Sequence, residues 1–391
     1  MFSDRTPESL APNRLARASA RVRGEGRAFV DLTESNPTRA GFSYPADLLT
    51  PLSDAGALTY EPRALGARPA REAVASDYGR RGVRVSPERI VLTASTSEAY
   101  SILFKVLADA GDEVLIPRPS YPLFDHLIRL DALVPRTYGL DYHGLWSIDF
   151  EGLERALGPR TRAVLAVSPN NPTGSFVKKA EMDRLARVCA SHGVALIVDE
   201  VFADYPLEPQ PAADRASVLD CGDVLAFGLG GLSKSVGLPQ VKLGWIGVAG
   251  PDALVAQAIE RLELVCDTYL SVSTPVQVAA PLLLERGAVV REQIGARVRA
   301  NYRTLKAAAG DVPSCRVLHA DGGWYAVLQV PSLQTEEDLV VDLLESSGVL
   351  VHPGYFFDFP SESFLVVSLL VPEPAFERAA RTLLGRFRGE A

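Results

Sequence analysis

Lys234 directly follows a glycine-rich turn, Gly228-Leu-Gly-Gly-Leu-Ser-Lys234, in which the missing side chains let a ligand come close to the backbone. Taken alone, the pattern is equally that of a solvated loop lysine, the ordinary setting for this residue type. Asp199 closes the apolar run Val194-Ala-Leu-Ile-Val198, so its carboxylate is expected at the edge of a sheet rather than in bulk solvent. A helix N-cap or a structural ion pair would use the same residue. Ser95-Thr96-Ser97 joins the run Ile90 to Thr93 to a helix opening near Glu98, so hydroxyls, free N–H groups and the positive helix end converge on one spot. That spot suits a phosphate, although an ordinary N-cap has the same composition. An amine, a carboxylate that can keep a pyridine nitrogen protonated and a phosphate cradle are together what pyridoxal 5'-phosphate (PLP) requires.

These residues need a scaffold that brings distant segments to one edge. Short apolar runs recur at Ile90–Leu92, Val114–Ile116, Val164–Val167, Val194–Val198 and Val224–Phe227, each reading as a strand buried on both faces. Helical segments lie between most of them, one with Tyr100, Leu103, Phe104 and Leu107 on a single face, another running from Glu181 through Leu185, Val188 and Cys189. The alternation predicts an α/β fold with a mainly parallel central sheet, flanking helices and right-handed crossovers. Polar and glycine-rich stretches follow the strands, at the carboxyl ends where open α/β sheets bind ligands. After about Pro281 a long charged helical stretch gives way to Gly322–Val330, Phe364–Leu370 and a last helix from Glu373 to Phe387. The expected organisation is a large domain of residues 49–281 and a smaller α+β domain formed by 1–48 and 282–391.

With 391 residues and 47% hydrophobic content the chain can bury a substantial core. A net charge of −8 argues against nucleic acid or an anionic membrane as partner, since either selects a basic surface. Small molecules are the expected partners. Cys189, Cys221, Cys266 and Cys315 lie far apart with no histidine at ligand spacing, so neither a disulfide framework nor a metal site is expected. The segment Met1 to Arg27 is rich in arginine and lacks an apolar core, and no later run approaches the length of a membrane span, which makes the cytoplasm the expected location.

In their order and approximate spacing, Asn170-Asn-Pro-Thr-Gly174, Val198-Asp-Glu200 and Ser233-Lys234 resemble the class I/II aminotransferases of the fold-type I PLP-dependent enzymes. The similarity extends from Tyr60-Glu-Pro-Arg-Ala-Leu-Gly66 to Val351-His-Pro-Gly354. The resemblance implies that Lys234 carries the cofactor as a Schiff base and later moves the proton between Cα and C4'. It implies that Asp199 pairs with the pyridine nitrogen, Asn171 with the phenolic oxygen, and that Tyr121 stacks on the ring. The phosphate would fall to Ser95, Thr96 and Ser97 with Ser233. Tyr60 would reach the phosphate of a partner subunit, which implies a homodimer.

Three positions depart from the family pattern. Phe202 stands where many relatives place a tyrosine against the phenolic oxygen, and loss of that hydroxyl should raise the pKa of the Schiff base. Lys242 replaces an arginine expected to grip the phosphate; the charge is kept and the bidentate fork is lost. Val366 occupies the place of the arginine expected to clamp the substrate carboxylate, and no Lys or Arg stands between Arg316 and Arg378. Either another cation, such as Arg39, Lys105 or Arg118, reaches the carboxylate, or the substrate's charge lies elsewhere. The activity implied is transfer of an amino group between an amino acid, or related amine, and a 2-oxo acid. A lyase, decarboxylase or cyclase would share the same apparatus, and a PLP-binding protein without turnover is the remaining reading.

Overall fold

The computed structural model describes residues 2–209, 211, 214 and 216–388. The chain runs through α1 (Arg14–Gly24), β1 (Val30–Asp31) and α2 (Arg68–Arg80) before the alternating part begins. There follow β2 (Ile90–Thr93), α3 (Thr96–Leu107), β3 (Glu113–Arg118), α4 (Phe124–Leu130), β4 (Val134–Tyr142) and β5 (Trp146–Ile148). Next come α5 (Phe150–Ala156), β6 (Thr161–Val167), α6 (Lys179–His192), β7 (Ala195–Asp199), β8 (Ala226–Gly231), α7 (Leu232–Ser235) and β9 (Gly244–Ala249).

Strands β2 to β9 form one eight-stranded sheet in the order β2-β9-β8-β7-β6-β3-β4-β5. Successive side chains of a strand point to opposite faces, and the sheet separates its core accordingly. Val114, Ile116, Leu165 and Ile197 pack with α3 on one side. Leu115, Val164, Leu196 and Val198 pack with α6 and α2 on the other. Burial on both faces is why these segments read as unbroken apolar runs rather than as alternating ones.

The expected parallel arrangement holds from β8 through β7, β6 and β3 to β4. Strand β9, absent from the sequence reading, runs antiparallel between β8 and β2. Its link from β8 carries no crossover helix long enough to return the chain in the parallel sense. A second correction concerns the glycines before Lys234. Gly228, Gly230 and Gly231 form no turn; they are the end of β8 itself, paired with Gly247, Trp245 and Gly244. A Cβ on Gly230 would lie 2.4 Å from the Trp245 indole nitrogen, so the missing side chain accommodates a neighbouring ring.

The rest of the chain comprises α8 (Asp252–Tyr269), α9 (Thr274–Arg286), α10 (Ala288–Gly310), β10 (Arg316–Val317), β11 (Tyr325–Gln329) and α11 (Glu336–Ser347). It ends with β12 (Val349–Leu350), β13 (His352–Pro353), β14 (Phe364–Ser368) and α12 (Glu373–Gly385). Four of these strands make an antiparallel sheet in the order β10-β11-β14-β13. Strand β1 pairs in parallel with β12, which ties the N-terminal segment to this region. Pro281 falls inside α9. Among the described residues no helix is long and apolar enough to cross a membrane.

Candidate active site

Asp199 is the last residue of β7 and is buried at 8% exposure. The Tyr100 hydroxyl donates to its Oδ2 at 2.7 Å and the Val201 N–H to its Oδ1 at 3.0 Å. Burial raises the Asp199 pKa, while both hydrogen bonds and the nearby Lys234 charge favour the ionised carboxylate. Tyr100 lies on the apolar face of α3, the helix that starts at the proposed phosphate site. It was legible in the sequence only as a member of that stripe, its polar tip being the one signal of a second role.

Lys234 lies in the short helix α7, directly beyond β8, the strand next to β7. Its amine is 5.5 Å from the Phe202 ring centre and 4.8 Å from that of Trp324. In this apolar setting burial lowers the Lys234 pKa to about 8, with Asp199 pulling the other way. An amine with that pKa is about one-tenth unprotonated at pH 7, a far larger fraction than an exposed lysine with a pKa of about 10.4. Trp324 was not singled out in the sequence; its place after Gly322-Gly323 at the start of a strand was the available clue.

Asn170 and Asn171 have different fates. Asn170 is fully engaged, donating to the Pro119 carbonyl and Thr173 Oγ1 and accepting from Ser120 Oγ. The buried Asn171 keeps a side-chain oxygen without a partner among the described residues. Gly174 closes the motif at φ +71°, where a Cβ would sit 2.6 Å from the Gly322 carbonyl, so this position requires glycine. Tyr121 follows Ser120 beyond β3 and packs edge-on against Phe124, which in turn packs on Tyr100. Burial and the Asp199 charge both raise the Tyr121 pKa.

At the start of α3, Ser95 serves as the N-cap, accepting from the Glu98 N–H, while Glu98 reaches back to the Ala94 N–H at 2.5 Å. The Ser95 hydroxyl thus caps its own helix as an acceptor and keeps its O–H free to donate. Thr96 and Ser97 stand in the first turn, where N–H groups have no intrahelical partner, and their hydroxyls make no hydrogen bond within the described residues. A Cβ on Gly244 would meet the Thr96 nitrogen at 3.0 Å, so β9 lies against this turn. Lys242 stands two residues before Gly244 at φ +62°, exposed and without an ion pair among the described residues. Ser233 is half-buried beside Lys234. Tyr60 stands apart, 69% exposed, at a cavity of about 270 Å³ shared with Arg63 and Leu270.

Val366 is fully buried in β14, opposite Val327 and His352. Burial lowers the His352 pKa to about 4, so it supplies no positive charge at neutral pH. The three alternative cations differ in availability. Lys105 is paired with Asp131, and at a rise of about 1.5 Å per residue it stands some 13 Å along α3 from the first turn. Arg118 lies between Asp358 and Asp125, at 3.4 and 3.8 Å. Arg39 is 76% exposed and, among the described residues, pairs only with Glu34, at 3.9 Å. Its segment adjoins the small sheet: the Ser368 hydroxyl donates to the Glu34 carbonyl at 2.6 Å.

The family described as aminotransferase class I and II matches residues 50–383. The alanine aminotransferase of Mycobacterium tuberculosis is 27% identical over 358 residues, covering 89% of this chain and 82% of its own. The glutamate-pyruvate aminotransferase AlaA of Escherichia coli is 26% identical over 364 residues, covering 89% and 88%. Among solved structures, the alanine aminotransferase of Pyrococcus furiosus superposes with a TM-score of 0.87 at 21% identity, over 99% of this chain and 100% of that one.

Proposed function

This chain belongs to the class I and II aminotransferases, PLP-dependent enzymes that move an amino group between an amino acid and a 2-oxo acid, and we propose that Lys234 and Asp199 are the centre of its active site. The observation that carries the reading is the pairing, at the ends of adjacent strands, of a buried hydrogen-bonded carboxylate with an amine whose pKa is lowered to about 8. Neither group has a structural task that explains both its burial and its place.

The residues present fit the cofactor. Lys234 would hold its aldehyde carbon, Asp199 its ring nitrogen and Tyr121 the ring face. Asn171, whose buried side-chain oxygen has no partner among the described residues, would donate from its NH2 group to the phenolic oxygen. Thr96, Ser97 and Ser233 would hold the phosphate with Lys242, and Ser95 would contribute through the helix end it caps. Bound here, PLP supplies an aldehyde that takes the substrate amine and a ring that spreads the charge left when the substrate carbon loses its proton.

The protein's own groups do the rest. A neutral Lys234 amine accepts a proton and returns it, a task suited by a pKa close to the working pH. Tyr100 and the Val201 N–H favour the ionised form of Asp199 against its burial and hold it in one orientation. Phe202 and Trp324 keep water from the amine. Arg39, the least committed of the three cations, is assigned to the substrate carboxylate. Alanine, glutamate and their 2-oxo acids are the first substrates to try, from the names of the relatives.

The domain division at residues 49–281 against 1–48 and 282–391 is part of the same reading, supported by the two separate sheets. So is a homodimer: Leu58, Tyr60, Leu264 and Tyr269 are 90%, 69%, 71% and 57% exposed. Apolar surface of this kind is suited to a second copy of the chain, and Tyr60 of the partner subunit would reach the phosphate. Cytoplasmic residence remains the proposed location.

The test is spectral. Loaded protein should absorb in the visible and lose that band on addition of an amino donor without an acceptor. Lys234→Ala should abolish both the band and turnover, and a variant that keeps its turnover would refute the assignment.

A further inference from the structure

We propose that Arg291 and Tyr205 are positioning residues that fix the backbone of Lys234 relative to Asp199. This rests on the reading of Lys234 as the reacting amine. The last carbonyls of a helix have no intrahelical partner, and in α7 two of them are taken by side chains from elsewhere. The Tyr205 hydroxyl donates to the Lys234 carbonyl, and Arg291 Nε donates to the Ser235 carbonyl at 2.8 Å. The amine is thus carried on a turn held at two consecutive peptide units.

Both residues are themselves held. Arg291 enters from α10 with only 9% of its side chain exposed, its Nη2 lying 3.2 Å from Asp77 and its Nε 3.9 Å from Asp204. Arg80 pairs with the same two carboxylates. Two arginines and two aspartates from α2, α10 and the segment after β7 therefore compensate one another, Arg291, Asp77 and Asp204 in the interior and Arg80 at its exposed edge. Removing one would strand its partners.

Tyr205 is fully buried, its ring edge-on to Trp324 at 5.3 Å between centres. The seven residues from Asp199 to Tyr205 carry the acid, the Phe202 ring beside the amine, the Asp204 charge and the Tyr205 pin. Two turns stiffen the segment, with Ala203 N–H donating to the Glu200 carbonyl and Tyr205 N–H to the Phe202 carbonyl, both at 3.0 Å. Asp199 and Lys234 are 35 positions apart in sequence, and this one segment joins them.

A purely structural role, neutralising Asp77 and Asp204, would be met by any cation at position 291. Positioning would not, because a lysine keeps the charge and loses the planar fork that serves Asp77 and the Ser235 carbonyl together. Tyr205→Phe removes one pin with no change of charge. A loosened Lys234 nitrogen finds water, which favours its protonated form.

The experiment compares cofactor-loaded wild type, Arg291→Lys and Tyr205→Phe by melting temperature, by the pH midpoint of the visible band, and by kcat and KM separately. Expected for both variants are near-wild-type melting, a midpoint about half a unit or more higher, kcat about 10- to 100-fold lower and KM within about threefold. Should Arg291→Lys fail to fold, Tyr205→Phe alone decides. An unmoved midpoint and kcat in Tyr205→Phe, or in a folded Arg291→Lys, overturns the proposal. A wild type with no visible band removes the assignment of Lys234, and this inference with it.

Discussion

The strand ends of the large sheet and the small antiparallel sheet differ in how they commit polar groups. From Asp199 to Lys234 the important polar atoms have named partners: Tyr100 and Val201 on the acid, Tyr205 and Arg291 on the lysine turn. The small sheet is apolar where a charge was expected, with Val366 fully buried, His352 neutral, and no Lys or Arg from residue 317 to 377. Chemistry common to a family needs fixed geometry and is built into the rigid sheet. On the proposed reading, recognition of a particular substrate falls to the Glu34–Arg39 segment, which meets the small sheet at Ser368.

The sharpest way to break this contrast is on the rigid side. Asp199→Asn keeps the shape and the Tyr100 contact but removes the charge, and kcat should fall on the order of 10²- to 10³-fold with the protein still folded. Steady-state kinetics with saturating cofactor would show it, and a loss below about tenfold would mean that the carboxylate is only a structural partner of Tyr100. On the other side, Arg39→Gln should raise KM for an amino-acid donor by about 10- to 100-fold, the worth of one charge-assisted contact, with kcat little changed. Arg118→Gln, whose cation already has two carboxylates, should move KM less than about threefold. The reverse ranking would move substrate recognition to the end of β3.

The smallest effect belongs to His352. Burial holds it neutral down to pH about 4, whereas in the unfolded chain it titrates near 6.5. Between those values the unfolded chain binds more protons, so stability should fall as pH drops from 6.5 towards 4. Urea midpoints at pH 7 and pH 5 should converge in His352→Gln relative to wild type. Equal pH dependence in both proteins would mean that the histidine is solvated.

Much of the rigid side was legible because both-face burial writes strands as continuous apolar runs, with the polar residues that follow marking the site. Lys234, Asp199, Asn171 and the Thr96-Ser97 turn were singled out that way or through the family motif. What escaped depended on contacts between distant segments. Strand β9 is a glycine- and tryptophan-bearing run with little β-branched character to announce it, and the glycines of β8 read as a turn because Trp245, the ring they make room for, lies 15 positions further on. Tyr100, Trp324, Tyr205 and Arg291 look like core or surface residues until the fold brings them to the lysine. Ser95 was assigned to a ligand on composition that an N-cap shares, and its hydroxyl caps α3 as an acceptor.

The most direct measurement fixes the cofactor in place. Purified protein loaded with PLP should be treated with sodium borohydride, digested and mapped by mass spectrometry. The cofactor mass is expected on the peptide containing Lys234 and on no other, with Asp199→Asn protein labelled at the same site. A label on a different lysine, or none on a protein that still transaminates, would contradict the assignment.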